Sequence, residues 1–283
     1  MNPALNLKPV QADRTVRSTR AALRWRLLLL WMAGLLIPTA LMTLPVFQLL
    51  SAHLDWSAHV PQLAHSLDLV AIGDLQLIAA RESTHLTNAA YLSVFLTLLI
   101  SPLLTGMAIS AARTVHVAGF RELLAGGLRE YPRMLRMLVL AIVLLGVVGV
   151  LVGAMLNPAR AALPRAMSIA VAGFGLLLLG VTHASLDAGR AMMALDRRRT
   201  SEVGSWWLGC RLLLRHPVSG LGAYFLITLA GLALAALLSW LRLQVAGTET
   251  AGLILAFVLT QATVAAIAWM RIARLFAMIA VAR

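Results

Sequence analysis

Six long apolar stretches dominate the pattern of hydrophobic and polar positions along the chain. Each stretch meets the roughly 20 residues of helix needed to cross the hydrocarbon core of a bilayer. The stretches cover residues 27–52, 88–112, 137–157, 166–186, 218–240 and 251–270. The pattern therefore predicts an all-α fold, a polytopic membrane helix bundle with six transmembrane helices.

The segments around the first stretch predict the domain organisation. Residues 1–26 are a basic segment, and the apolar run that follows is about 26 residues long, beyond the roughly 7 to 15 of a signal-peptide core. We expect this run to remain as an anchor, so that residues 27–283 form a single membrane domain. Charged and polar residues interrupt every apolar run in 53–86, which predicts a loop outside the membrane that contains a short amphipathic helix.

Two other connections carry apolar residues at helical spacing beside arginines. They cover residues 114–136 and 191–217, and each ends with a proline at the start of the next span, Pro132 and Pro217. We predict that both are amphipathic helices in the inner membrane interface. With a degenerate copy in the N-terminal segment, they would form three repeats of an interfacial helix followed by a membrane hairpin.

Basic residues are distributed unevenly between the two sides of the spans. If the N-terminus is cytoplasmic, 20 of the 24 Lys and Arg residues lie in cytoplasmic segments, and the others are Arg81, Arg160, Arg165 and Arg242. Cytoplasmic loops of membrane proteins carry this excess. The distribution therefore predicts cytoplasmic N and C termini in a multi-pass protein of a bacterial inner membrane.

Composition excludes several classes of function. Charged residues make up 12% of the chain and hydrophobic residues 60%, whereas a soluble domain has about 25% charged residues. The net charge of +13 comes from arginines between apolar runs, so we predict no nucleic-acid partner. Cys210 is the only cysteine, which excludes an intramolecular disulfide.

Motifs of the common catalytic sites are missing from the sequence. It has no carboxylate pair that argues for a glycosidase, no phosphate-binding glycine loop and no nucleophile elbow. We therefore predict neither enzymatic activity nor a cofactor, with an intramembrane enzyme as the weakest alternative.

The fourth span carries three ionisable residues, His183, Asp187 and Arg190, which share one helix face near its cytoplasmic end. Ionisable groups at membrane depth are costly and suggest function. One interpretation is structural: Asp187 pairs with Arg190, or with Arg113 or Arg274 of a neighbouring helix end. The alternatives are a proton or ion relay through His183 and Asp187, or docking of a soluble partner.

Other polar positions support weaker hypotheses. Gln261 is the main polar group near the middle of the last span, where an interhelical hydrogen bond is the favoured role. Four histidines in or near the outside loop could hold a metal, but their spacing does not match that of a zinc-binding helix, so a solvated loop or docking surface is favoured. They are His53, His59, His65 and His85.

Prolines and glycines within the spans predict kinks and close helix packing. The prolines are Pro38, Pro45 and Pro102; the glycines are Gly146, Gly149 and Gly153 on the third span and Gly173, Gly175 and Gly180 on the fourth. The alternative is that such helices line a path or a hinge, as in transporters.

The region 187–240 resembles a known group of membrane proteins. It begins with Asp187, Ala188, Gly189 and Arg190, continues through an amphipathic stretch to Arg215, His216 and Pro217, and enters a span that contains Tyr224. This run resembles uncharacterised bacterial six-span proteins related to the membrane domain fused to some glycerophosphodiester phosphodiesterases. The resemblance implies a helical membrane domain and no phosphodiesterase activity, since the catalytic part of such fusions is a separate soluble domain.

Two functions of different classes follow from these observations. The first is a non-catalytic scaffold or accessory subunit of a membrane complex, which contacts anionic headgroups at the cytoplasmic face and binds a protein partner or another copy of itself. The alternative is a transporter or permease component that moves a small solute or lipid. A continuous polar path from His183 and Asp187 past Gln261 to the outer side would favour the transporter.

The predicted topology can be tested with single introduced cysteines. Cysteines near Arg14, Arg129 and Arg198 and at the C-terminus should be protected from a thiol reagent that cannot cross the membrane. A cysteine within 53–86 should react, because that segment is predicted to lie outside. Labelling near Arg198 from the outside would contradict the orientation.

Overall fold

The computed structural model describes residues 22–54, 83–114, 118–155, 165–198, 201–245 and 250–283, together with the single residues 73, 77 and 80. All regular elements in these ranges are α-helices. They are α1 (Trp25–Leu54), α2 (Ser83–Arg113), α3 (Phe120–Met155), α4 (Arg165–Leu195), α5 (Glu202–Arg215), α6 (Pro217–Gln244) and α7 (Thr250–Ala282).

Every helix except α5 is long and apolar enough to cross a membrane. This result confirms the all-α fold and the six predicted spans. The predicted outside loop, 53–86, lies mostly outside the described residues; α1 ends two residues inside it, and α2, which begins at Ser83, includes its last four residues. The orientation of the termini stays a prediction.

Helix α3 corrects the prediction for 114–136. The amphipathic part of that segment is not a separate interfacial helix, because α3 runs without interruption through Pro132 for 36 residues, or about 54 Å. Its buried residues recur at intervals of three and four on both sides of the proline: Leu123, Gly127, Glu130, Met134, Met137 and Ala141. One continuous packed face thus outweighs the single backbone hydrogen bond that Pro132 removes.

Helix α5 agrees with the other prediction of a short amphipathic helix. Ser201 caps its first turn by accepting a hydrogen bond from the backbone N–H of Gly204, 3.1 Å away. The helix ends at Arg215, and Pro217 opens α6, where a proline costs no hydrogen bond. One face of α5 is buried at Ser205, Gly209 and Leu213, and the opposite face is exposed.

The C-terminal helix α7 corrects the predicted end of the last span. Residues after 270 were expected to be a cytoplasmic tail, but α7 continues to Ala282, and every residue from Ile272 to Ile279 is buried. This stretch is apolar on all sides apart from Arg274, as expected of a helix surrounded by others. Helix α7 packs chiefly against α6 and α4 and also contacts α1 and α2.

Buried side chains concentrate at one end of the bundle, where α1, α3 and α6 begin and α2, α4 and α7 end. We call it the basic end, because Arg24, Arg113, Arg190 and Arg215 lie there. Among its buried residues are Leu27, Trp31, Met107, Met137, Leu186, Met193 and Met278. The other half exposes large apolar side chains, including Phe47, Phe95, Val150, Leu176 and Leu243, as expected of helix surfaces in contact with lipid.

Helices α4 and α5 cross closely at two glycines. A Cβ atom on Gly209 would overlap the backbone of Gly189, and one on Gly189 would lie 2.9 Å from Trp206 Cα. The glycines expected to pack closely do so only in part. Gly175 and Gly180 contact Val152 and Phe225, but Gly146, Gly149, Gly153 and Gly173 have no atom near a Cβ position.

We predict that Gly209→Ala destabilises the protein by about 1–3 kcal/mol, because the methyl group has no space between the backbones of α4 and α5. Gly149→Ala is the matched control, since its Cβ meets open space and alanine favours a helix over glycine by up to about 1 kcal/mol. Chemical unfolding in detergent micelles measures both. Equal stability of the two variants would contradict the crossing.

Candidate functional site

The site is built around Asp187, which is only 5% exposed. Arg190 Nη1 donates a hydrogen bond to Asp187 Oδ1 over 2.6 Å, and Arg274 Nε lies 3.8 Å from Oδ2. His183 Nδ1 lies 3.6 Å from the same Oδ2. The structure thus brings His183, Asp187 and Arg190 together on one face of α4, with Arg274 of α7 as the partner from another helix.

Arg274 also joins the site to α6. Its Nη1 donates to the hydroxyl oxygen of Tyr224 over 3.0 Å and, at 3.4 Å, to Thr228 Oγ1. Its guanidinium carbon lies 4.9 Å from the centre of the Tyr224 ring, a favourable cation–π distance. Buried Arg274 therefore connects three helices, α4, α6 and α7. Sequence reasoning did not assign a role to Tyr224 or Thr228.

The hydrogen bond between Tyr224 and His183 allows two protonation states. Tyr224 Oη lies 3.0 Å from His183 Nδ1, and it already accepts a hydrogen bond from Arg274, which can only donate. With neutral His183, the tyrosine hydroxyl donates to Nδ1. With protonated His183, the Nδ1 proton has Tyr224 Oη and the Asp187 carboxylate nearby.

A second buried carboxylate, Glu130 of α3, was not identified from the sequence. It is 3% exposed, accepts hydrogen bonds from Arg113 over 2.5 Å and from Arg133 over 2.7 Å, and has Arg197 at 3.5 Å. Of the three alternative partners predicted for Asp187, the structure shows Arg190 and Arg274, whereas Arg113 pairs with Glu130 instead. The spacing of Glu130 and Arg133, three residues apart on one helix, was a signal for this pair.

Arginines at the basic end also bind the carbonyl oxygens that close helices α2 and α4. Arg113 donates to the carbonyls of Ala194 at 2.7 Å and Met193 at 3.0 Å, near the end of α4. Arg24 donates to the carbonyl of Ala111 over 2.7 Å, near the end of α2. The last helical carbonyls lack an intrahelical donor, and cations there interact favourably with the helix dipole.

A cavity of about 350 Å³ adjoins the Asp187 cluster. His183, Asp187, Arg190, Arg271 and Arg274 form its charged side. Hydroxyl residues of α2 follow at intervals of four, and apolar residues line the rest. The hydroxyl residues are Thr97, Ser101 and Thr105, and the apolar residues include Trp31, Leu98, Leu138, Ile142, Leu145 and Leu275. This regular hydroxyl spacing is visible in the sequence but was missed.

The remaining candidates lie away from this cavity. Gln261 is half-buried on α7, ten residues or about 15 Å before Arg271, and does not line the cavity. A polar path past Gln261, which would favour a transporter, is thus not formed by the residues that line the cavity. Cys210 is half-buried on α5, and burial raises the pKa of its thiol, which disfavours a reactive thiolate.

The loop histidines are only partly covered by the described ranges. His59 and His65 lie outside them, whereas His53 and His85 belong to the ends of α1 and α2. Among the described residues, no three His, Cys, Asp or Glu side chains lie close enough together to hold a metal ion. The proposed metal site in the loop stays an untested alternative.

Comparison with protein-family models, curated proteins and solved structures gives no match. The resemblance to membrane domains fused to glycerophosphodiester phosphodiesterases therefore stays a prediction.

We predict that Glu130→Gln lowers the free energy of unfolding by about 3–5 kcal/mol, because it leaves Arg113 and Arg133 without a compensating charge in a buried site. Glu122→Gln, on the exposed side of the same helix, is the matched control and should change stability by less than about 1 kcal/mol. Unfolding in detergent micelles measures both, and similar losses would argue against the ion-pair cluster.

Proposed function

We propose that the protein is a non-catalytic, multi-pass protein of the bacterial inner membrane that acts as a scaffold or accessory subunit of a membrane complex. One observation carries the proposal: the buried carboxylates Asp187 and Glu130 are engaged by arginines, and these contacts tie several helices together at the basic end. Charged groups used in this way hold the bundle in one arrangement, which suits a rigid membrane component.

The basic end would face the cytoplasm. Most arginines lie there, as positive charge does on cytoplasmic segments. Helix α5 offers a surface for the inner interface, with exposed Trp207 and Leu214 beside Arg211, whose guanidinium lies 5.6 Å from the Trp207 ring. Apolar side chains that enter the headgroup region and arginines that attract anionic headgroups bind helices to membranes in this way. A protein partner or a second copy would assemble on the same membrane domain.

A transporter or permease component is the second candidate, and the cavity favours it. Thr97, Ser101 and Thr105 continue from the charged cluster along α2 towards the opposite half of the bundle. Further out, Ser93 lies at the next interval of four and donates to the carbonyl of Pro38 over 2.7 Å. A row of hydroxyl groups supports a polar path, but those of Ser93, Thr97 and Thr105 already donate to α-helical carbonyls and are satisfied without any solute.

No enzymatic activity is part of the proposal. The Asp187 carboxylate, the obvious general base, lies between cations that stabilise its charged form. Tyr224 is held by Arg274 and His183. This arrangement leaves no activated nucleophile beside a base in the described cluster.

We predict that Asp187→Asn mainly impairs stability or assembly. Asparagine keeps much of the size of aspartate but removes the charge that compensates Arg190 and Arg274. Unfolding in detergent and the yield of monodisperse protein measure this loss. Asp196→Asn is the matched control, because Asp196 follows the end of α4 and accepts a backbone N–H that asparagine can also accept.

Tyr224→Phe separates the two candidates at the same site. It removes the hydroxyl group between Arg274 and His183 but keeps the ion pairs of Asp187. A scaffold should lose about 1 kcal/mol of stability and, like the original protein, show no proton flux in liposomes that contain a pH-sensitive dye. The scaffold proposal would be overturned in favour of the transporter if the original protein showed a proton-coupled flux and well-folded Tyr224→Phe or Asp187→Asn protein did not.

A further inference from the structure

The cavity beside Asp187 carries an excess of positive charge. Three guanidinium groups line it, those of Arg190, Arg271 and Arg274, against the single carboxylate of Asp187. With His183 neutral, the lining therefore has a formal charge of +2. The Asp187 carboxylate is bound by Arg190 and faces Arg274, so its single negative charge is shared among three cations. Charge complementarity favours an anion in this cavity.

Donors without acceptors point to the same conclusion. Trp31 and Arg274 are 4% and 6% exposed, yet the indole N–H of Trp31 and the Nε–H of Arg274 have no hydrogen-bond acceptor within the described ranges. The nearest charge to this Nε is Asp187 Oδ2, at an ion-pair distance of 3.8 Å. Buried donors are almost always paired, and both residues line the cavity, so an occupant with acceptor oxygens would satisfy them. Arg271, one helical turn from Arg274, also lines the cavity; its side chain is exposed and forms no hydrogen bond or salt bridge with a described residue, so it is free to bind the same occupant.

The rest of the lining does not suit a small hydrophilic anion. Leu98, Leu138, Ile142, Leu145 and Leu275 provide an extensive apolar wall from three helices. Apolar surface stabilises an occupant that brings apolar area of its own, by about 25 cal/mol per Å² buried. The volume of about 350 Å³ lies at the lower end of the range for ligand pockets, large enough for a headgroup phosphate with part of an acyl chain.

The two sides of the cavity match the depth of a membrane lipid. Asp187, Arg190, Arg271 and Arg274 lie just beyond the basic ends of the spans expected from hydropathy, 166–186 and 251–270. The apolar wall lies deeper. A lipid of the leaflet at the basic end would place its phosphate among the arginines and its chain along α2 and α3.

We propose that this cavity is a binding site for an anionic lipid, with the phosphate held by Arg271 and Arg274 and an acyl chain against the apolar wall. The site goes beyond the proposed function, since it does not depend on which candidate function is correct. A scaffold would hold such a lipid permanently, and a transporter would move it. Free phosphate shares the headgroup chemistry, but only the lipid uses both sides of the cavity.

Native mass spectrometry of the full-length protein in detergent tests the site. Phosphatidylglycerol and phosphatidylcholine with the same acyl chains are titrated, with inorganic phosphate as a competitor. We expect phosphatidylglycerol to bind more tightly than phosphatidylcholine and inorganic phosphate not to displace it. Equal binding of the two lipids would overturn the charge requirement, and displacement by millimolar phosphate would overturn the requirement for an acyl chain.

Two variants locate the bound lipid. Arg271→Gln removes a charge that has no partner among the described residues, so folding should be kept while affinity for phosphatidylglycerol falls about tenfold or more. Ser101→Phe keeps every arginine and places a ring in the cavity, and it should also abolish tight binding. The unfolding midpoint of each variant shows whether it is folded.

Arg215→Gln is the matched control, since Arg215 is exposed at the basic end but does not line the cavity. It should keep the original affinity. An equal loss in Arg215→Gln and Arg271→Gln would mean that lipid is attracted to the basic end in general, which contradicts the proposed site. Unchanged binding in folded Ser101→Phe protein would contradict it as well.

Discussion

A carboxylate buried within a membrane helix bundle must be compensated by cations, because its isolated charge would cost several kcal/mol. The basic end of this protein is organised by that constraint at two positions. Asp187 joins α4 to Arg274 of α7, which in turn binds Tyr224 of α6. Glu130 of α3 joins Arg113 at the end of α2, and Arg113 also binds the last turn of α4. Helix α4 therefore takes part in both clusters, and five of the seven described helices meet through them.

The arginines do more than set topology. A count of basic residues treats each of them as a marker of the cytoplasmic side, but several have a defined partner. Arg113, Arg24 and Arg283 donate to carbonyls near the ends of α2 and α4. Their positions at the basic end therefore contribute to helix termination and helix packing as well as to the orientation of the protein in the membrane. Arg271 has no acceptor among the described residues and, unlike Arg121, Arg129 or Arg215, lines the cavity of the proposed lipid site.

Much of the architecture was predictable because apolar length is a local property of the sequence. The six spans follow from it, and the short helix α5 follows from apolar residues at helical spacing beside arginines. The exact ends of the helices did not, since tertiary contacts extend them. Glu130 and Met134 on one face carry α3 through Pro132, and burial of Ile272–Ile279 continues α7 past the expected span.

The candidate site was predictable to the extent that its residues share one helix. His183, Asp187 and Arg190 follow from spacing on α4, whereas their contact with Tyr224 and Arg274 depends on how three helices pack. Sequence spacing also could not show which glycines meet. Gly189 and Gly209 contact each other across two helices, but Gly149 faces open space. A pattern along one helix contains no information about the helix opposite.

The scaffold proposal and the lipid site both depend on the Asp187 cluster, in which one carboxylate holds two arginines while a third stays available. The compensation of Asp187 by Arg274 is the central claim. A double-mutant cycle with Asp187→Asn, Arg274→Gln and the combined variant, measured by unfolding in detergent micelles, tests it most directly. We predict a coupling energy of about 1–3 kcal/mol, so that the combined variant loses less stability than the two single losses together. Additive losses, within about 0.5 kcal/mol, would contradict the account.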